Sequence, residues 1–203
     1  MGEHVMKVIL STRNPSKALQ IQTLFEGSGI EVLTLAEAGM EGQGNETGDT
    51  IEENALIKAR FAHEHPDRPK GHWVMSDDTG LYIKALGDEP GVNAANWYYE
   101  GAPAEETMAY CLTRMKDVFD RRATFRTVVS LIGPSGNDRR FYGEAHGVLL
   151  TKPRRAPQPG MPYSPLFQPL GESKTWAEMD TEYENRISHR GRAFAQVRDF
   201  LKK

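Results

Sequence analysis

Cysteine is nearly missing from the 203-residue chain. Cys111 stands alone, so no intrachain disulfide can form, and the composition suits a reducing compartment. Its neighbours Ala109, Tyr110 and Leu112 make an apolar helix face, where a lone thiol reads as core packing rather than as a nucleophile. No apolar run approaches the ~20 residues that span a bilayer. The first residues lack the basic stretch and apolar core of a secretory leader, and Met6 stands where an N-terminal acylation signal after Met1-Gly2 needs Ser or Thr. The expectation is a cytoplasmic protein with no membrane partner. A basic excess is absent too: 25 Lys+Arg against 28 Asp+Glu leave a net charge of -3, which predicts no nucleic-acid partner. Cys/His pairs at zinc spacing and a G-x-S-x-G nucleophile elbow are likewise missing, which removes zinc sites and serine hydrolases of that type.

What remains is an ordinary globular composition, 38% hydrophobic, in a chain long enough to bury roughly 70% of its unfolded surface. The length alone corresponds to between one and two domains. Lys7–Thr12 is a short aliphatic run that reads as a buried strand, broken by Arg13-Asn14-Pro15; a helix starts at Ser16 and stops near Gly27. Ile30–Leu35 reads as a strand, and Gly39–Gly48, with four glycines, as a loop. Thr50 and Glu53 have capping-box spacing ahead of a helix that runs to about His65. Trp73-Val74-Met75 reads as a strand ending at Ser76-Asp77-Asp78-Thr79-Gly80, and Ala104–Phe119 as a helix. Phe125–Ile132 and Arg139–Leu150 form a hairpin, proline-rich Lys152–Pro165 is irregular, and Arg192–Leu201 is a closing helix. The pattern is α/β, and the hairpin rules out a purely parallel sheet.

Three polar clusters fall where elements begin or end. Thr12-Arg13-Asn14-Pro15-Ser16-Lys17 precedes a helix, where free backbone N–H groups and a lysine attract an anion; an ordinary strand–turn–helix join reads the same way. Asp77-Asp78 after a strand, with Glu46 in the glycine-rich loop, suits Mg²⁺ or a proton acceptor, and equally suits a surface turn. Ser188-His189-Arg190-Gly191 suits a phosphate or a base edge, or a solvated helix start.

Taken in order, the clusters resemble the inosine triphosphate pyrophosphatase family from about Lys7 to Leu201. The matching residues are Thr12-x-Asn14-x-x-Lys17, Glu46-Thr47-Gly48-x-Thr50-x-x-Glu53-Asn54-Ala55-x-x-Lys58-Ala59, Ser76-Asp77-Asp78-Thr79-Gly80-Leu81, Ala85-Leu86-Gly87-x-x-Pro90-Gly91 and Asn185-Arg186-Ile187-Ser188-His189-Arg190-Gly191. The resemblance implies a single domain over 1–203 with an elongated, two-lobed mixed-sheet α/β fold and a central nucleotide cleft, working as a homodimer. It also implies Mg²⁺-dependent hydrolysis of deaminated purine nucleoside triphosphates (ITP, dITP, XTP) to monophosphate and pyrophosphate. Carried over by position, Thr12 to Lys17 cradle the phosphates and Lys58 adds charge. Asn54 and Thr79 line the same ligand. Asp78 is the proton acceptor and a metal ligand with Asp77 beside it, and Glu46 is an acidic metal-associated position, although Asn45 stands where members often carry a carboxylate.

The departures gather at the base-reading end. Family members read Gly-Phe-Gly-Tyr-Asp-Pro-x-Phe where this chain has Gly160-Met161-Pro162-Tyr163-Ser164-Pro165-Leu166-Phe167, and a lysine five residues before the histidine is here Glu184. Met161, Tyr163, Ser164, Glu184, Ser188, His189 and Arg190 are the expected base and nucleoside contacts. Two alternatives stay open: the same chemistry on another modified nucleoside triphosphate, and a catalytically silent nucleotide binder.

Overall fold

Val8, Ile9 and Leu10 leave no face for water, and in the computed structural model, which describes residues 5–203, they form a fully buried strand, β1 (Met6–Leu10). The Met1-Gly2 reading lies outside the described residues. β1 runs parallel to β2 (Ile30–Thr34) on one side and to β3 (Trp73–Ile83) on the other. β3 then pairs antiparallel with β5 (Arg122–Ile132), β5 with β6 (Asp138–Leu149), and β6 with the short β7 (Phe167–Pro169). The two-residue β4 (Pro90–Gly91) adds to the other edge of β3, completing a mixed sheet of order β2-β1-β3-β5-β6-β7.

Local chemistry accounts for the helices. Asn14 caps α1 (Pro15–Phe25), with Pro15 at the first helical position, where its missing N–H costs no hydrogen bond. The expected capping box opens α2 (Ile51–Glu64): Thr50 Oγ1 accepts from the Glu53 N–H at 3.2 Å, and Glu53 accepts from the Thr50 N–H at 3.2 Å. α3 (Ala104–Arg114) buries Cys111 as expected, and burial pushes its thiol up to about 12. α4 (Thr181–Ile187) and α5 (His189–Leu201) are separated only by Ser188.

The two largest apolar clusters lie along the sheet. One gathers Val8, Leu10, Ile21, Phe25, Met75, Leu131, Phe194 and Val197; the other gathers Leu81, Ile83, Cys111, Phe125, Tyr163, Phe167 and Trp176. On β3 the first core ends at Met75 and the second begins at Leu81, and buried Ser76, Asp77 and Asp78 lie between them. Such a polar seam has to be internally paired. Ser76 Oγ donates to the Ser11 carbonyl at 3.0 Å, and the Thr79 and Thr127 hydroxyls meet at 2.7 Å across β3 and β5.

Three sequence expectations change, and one helix is added. Asp77-Asp78 is not at a strand end: β3 continues to Ile83, with Asp77 opposite Val129 and Asp78 opposite Val128 on β5. α3 stops at Arg114, not Phe119, because the chain takes up a positive φ of 61° at Asp117 and leaves Phe119 fully in solvent. α4 is a helix that the sequence did not announce. α5 begins at His189 rather than Arg192, so Ser188 is its N-cap, accepting from the Gly191 N–H at 3.0 Å.

α5 lies unusually close to the rest of the chain. A Cβ on Gly143 of β6 would collide with the His189 carbonyl oxygen, and one on Gly191 would collide with the Asn185 carbonyl oxygen. Arg192 and Gln196 then donate to the carbonyls of Glu144 and Tyr142, each at 2.7 Å.

Candidate active site

The turn between β1 and α1 is held from within and from without. Thr12 Oγ1 accepts from the Asn14 N–H, and Asn14 Oδ1 from the Lys17 N–H, both at 3.2 Å. Asn14 Nδ2 then donates to the Gly160 carbonyl at 3.2 Å, and Ser16 Oγ to the Pro159 carbonyl at 3.3 Å. Gly160, at φ 70°, has no room for a Cβ against the Asn14 amide, which is how the distant 159–164 loop comes to lie on this turn.

On β3, neighbouring side chains point to opposite faces, and the adjacent carboxylates therefore meet different cations. Asp78 Oδ1 is 2.9 Å from Lys58 Nζ, which is also 2.9 Å from Glu46 Oε2. Asp77 Oδ2 is 3.3 Å from Lys17 Nζ and 3.6 Å from Arg190 Nε. Burial drives the Asp77 carboxyl up, but Lys17, Arg190 and Lys58 together outweigh it and hold the group below the usual carboxylate range. For Asp78 burial prevails over Lys58, and its pKa is raised. Burial lowers Lys17 despite Asp77, whereas on Lys58 the pull of Asp78 and Glu46 overcomes burial and raises it.

The Glu46 loop is fastened to α2 by Asn54, whose Oδ1 accepts from the Gly48 N–H at 2.8 Å. With Thr12, Asn14, Lys17, Lys58, Asp78 and Thr79 it walls a cleft of about 720 Å³. Asp78 Oδ2 is buried there without a hydrogen-bond partner. Among the described residues no three His, Cys, Asp or Glu side chains cluster as a complete metal cage. One unpartnered carboxylate oxygen and a second carboxylate, with an ammonium standing between them, fit Mg²⁺, which takes one or two protein carboxylates and completes its shell with water and phosphate oxygens.

A smaller pocket of about 80 Å³ adjoins the cleft, sharing Lys17, Thr79, Ala95 and Gly160 with it. Its walls are aromatic. The His189 ring stacks on Phe125 at 4.6 Å and 13°, with Trp176 beyond it at 6.2 Å. Burial and the neighbouring Arg190 push His189 well below its ordinary pKa, so the ring is neutral. Tyr163 lines the pocket but spends its hydroxyl on the Ala94 carbonyl at 2.7 Å. Glu184 accepts from Gln20 Nε2 at 2.9 Å, and Gln20 Oε1 accepts from Arg190 at 2.6 Å. Burial raises the Glu184 carboxyl, and Arg190 and Gln20 only partly offset it.

Most expected site residues therefore reach one of the two cavities. Thr12, Arg13, Asn14, Pro15, Lys17, Glu46, Asn54, Lys58, Asp78 and Thr79 line the cleft; Met161, Tyr163, Ser164, Glu184, His189 and Arg190 line the pocket. Three do not. Ser16 and Ser188 are engaged in backbone contacts, and Asp77 is buried behind the wall, so it places Lys17 and Arg190 rather than facing the cleft. Sequence reasoning missed Gln20, which reads as one more helix residue, and Phe125 and Trp176, which read as core. It also missed the 3₁₀ segment Val92–Asn96, which lends Asn93, Ala95 and Asn96 to the cleft wall and carries no motif.

A mixed sheet flanked by helices, with a cation-lined cleft that opens into an aromatic pocket, defines an α/β protein with a charged cleft. The Ham1 family model matches residues 8–200, and the chain belongs to the Ham1 family. It is 37% identical over 201 residues to a dITP/XTP pyrophosphatase of Caldanaerobacter subterraneus subsp. tengcongensis, covering 98% of each chain. It is 38% identical over 196 residues to one of Porphyromonas gingivalis, covering 96% of this chain and 97% of the relative. Among solved structures it resembles a HAM1 protein from Coxiella burnetii (TM-score 0.80, 30% identity) and the Staphylococcus aureus Ham1 protein (TM-score 0.79, 29% identity), in both cases over 97% of this chain and 98% of the other.

Proposed function

We propose that this chain hydrolyses deaminated or otherwise aberrant purine nucleoside triphosphates (ITP, dITP and XTP) to monophosphate and pyrophosphate, with Mg²⁺ as cofactor. The observation that carries the reading is Lys58 Nζ, 2.9 Å from both Asp78 and Glu46 in a cleft that opens into an aromatic pocket. A triphosphate carries about four negative charges, and catalysis of its hydrolysis is mostly positioning and charge screening. Lys17 and Lys58 supply the fixed positive charge, and the first turn of α1 adds backbone N–H groups. Asp78 and Glu46 are the residues that would hold Mg²⁺, whose contribution when bound is to neutralise charge developing on phosphate oxygens.

Asp78, set in the cleft with one oxygen free of any hydrogen-bond partner in the protein, is the carboxylate placed to accept a proton from the attacking water. Water adds across the α–β anhydride: its oxygen bonds to phosphorus, the bridging bond breaks, one proton goes to Asp78 and pyrophosphate leaves. Asp77 keeps Lys17 in place. The names of the relatives support the substrate class. The resemblance supports one two-lobed domain acting as a homodimer in the cytoplasm, and no helix of the described residues is long and apolar enough to cross a membrane. Incubation with ITP and Mg²⁺, followed by chromatography, should give IMP and pyrophosphate and should stop on chelation. IDP and orthophosphate as products would overturn the reading.

A further inference from the structure

Glu184 is an anomaly in its setting. It is a half-buried carboxylate on the wall of an aromatic pocket, and its direct partner is not a cation but the neutral amide of Gln20. The orientation of that amide is fixed at both ends. Its carbonyl faces Arg190 at 2.6 Å, which leaves the NH₂ to donate to Glu184 Oε1. Oε1 is thus engaged, while Oε2 accepts no hydrogen bond from the protein, and the side chain belongs to the pocket wall. An ionised carboxylate only accepts hydrogen bonds. The pocket therefore holds an acceptor whose missing partner is a donor on the ligand.

Hydrolytic deamination of adenine changes the base at two adjacent places: the 6-amino group becomes a carbonyl, and N1 changes from a lone-pair acceptor to an N–H donor. Hypoxanthine and xanthine both carry N1–H, and adenine does not. We propose that Glu184 reads the N1–H of a 6-oxopurine, so that this one residue separates deaminated nucleotides from ATP. The inference rests on the purine nucleotide reading of the cleft and adds its discriminating contact. Adenine would set its N1 lone pair against Oε2, leaving both acceptors unpaired, and an unmatched buried polar group is among the strongest means of rejecting a ligand.

Gln20 makes the contact more than local. From Glu184 the string runs through Gln20 and Arg190 to Asp77 and Lys17, and Lys17 lines both cavities. Gln20 is a positioning residue: it touches neither base nor phosphate, and it holds the base reader in register with the phosphate-binding lysine.

The test uses Glu184→Gln in the full chain, with folding checked by circular dichroism. Gln can donate to adenine N1, so the ITP-to-ATP ratio of kcat/KM should fall by about 10- to 100-fold, the range for a hydrogen bond to a charged group. A ratio unchanged within about twofold would overturn the proposal. A second measurement leaves the protein intact and needs no catalysis. Wild type should bind IMP at least about tenfold more tightly than 1-methyl-IMP, in which N1 carries no hydrogen. Glu184→Ala, which makes room for the methyl group, should bind the two within about twofold. A persistent preference for IMP in the Ala variant, or no IMP binding by wild type, would overturn the proposal. If no triphosphate is cleaved but the monophosphates rank as stated, the hydrolytic reading fails and this one stands.

Discussion

Around Asp77 and Asp78 on β3, three cations (Lys17, Lys58, and Arg190 reaching in from α5) meet three carboxylates (Asp77, Asp78 and Glu46) in direct ion pairs. At the α4–α5 end a single carboxylate, Glu184, faces an aromatic pocket and is steadied by a neutral amide. The difference follows from what each end has to recognise. Phosphate is a diffuse charge that every nucleotide carries, so dense charge at that end gives affinity without discrimination. A base is neutral and differs from its neighbours by a proton or an oxygen, and one undischarged acceptor in an aromatic pocket responds to that where a crowd of ions would not.

The strongest break in this comparison is Asp78→Asn. It keeps the shape of the charged end but removes the proton acceptor, and turnover of ITP should fall about 10²–10⁴-fold for every base alike, with the melting curve showing the fold retained. Loss for one base only would place Asp78 at the wrong end. Asp77→Asn comes next. It leaves Lys17 and Arg190 without their shared buried partner and should cost about 3–5 kcal/mol of stability at neutral pH in denaturant titrations.

A third experiment sharpens the contrast through pH. The Asp77 pKa is held below its unfolded value of about 3.9, so its stabilisation is complete above that pH and disappears as pH falls toward the folded value. The deficit of Asp77→Asn should therefore shrink in acid. Glu184 has the opposite sign: its pKa is raised, so its contribution is complete below its unfolded value of about 4.3 and is lost as pH rises through the folded value. Glu184→Gln should gain stability relative to wild type as pH rises. Parallel pH trends for the two variants would erase the electrostatic distinction between the ends.

The smallest effect concerns Cys111, which packs in the same core as Tyr163 and Trp176 beneath the pocket. With its thiol pushed up to about 12, labelling by a thiol reagent should be slow in the native protein and rapid in denaturant. Bound IMP should slow it further, whereas tripolyphosphate, which occupies only the charged end, should not.

Much of the fold was legible because its signals are local. The Thr50–Glu53 box, the Asn14-Pro15 helix start and the β5–β6 hairpin each announce themselves within a few residues. The centre of β3 was misread for a physical reason: Ser76-Asp77-Asp78-Thr79 has the composition of a turn, and only pairing with β1 and β5 makes it a strand. α4 was missed because none of its seven residues is buried, so no apolar stripe betrays it. In the site, residues that bear charge were found from sequence. Gln20, Phe125, Trp176 and the Val92–Asn96 wall were not, because their roles arise only when segments distant in sequence come together, as Gln20 and Glu184 do across 164 residues.

The bare contacts at Gly143 and Gly191 set a limit of another kind. Where side chains separate two elements, a misfit is taken up by a change of rotamer, and the elements drift relative to one another as sequences diverge. Here main chain rests on main chain, with nothing adjustable in between. A methyl group at either glycine would lift the first turn of α5, and with it the guanidinium of Arg190 and the ring of His189, off their seat. Tolerance to mutation should accordingly be lowest at two positions that carry no functional group, and a saturation library selected for activity should recover substitutions at His189 more readily than at Gly143.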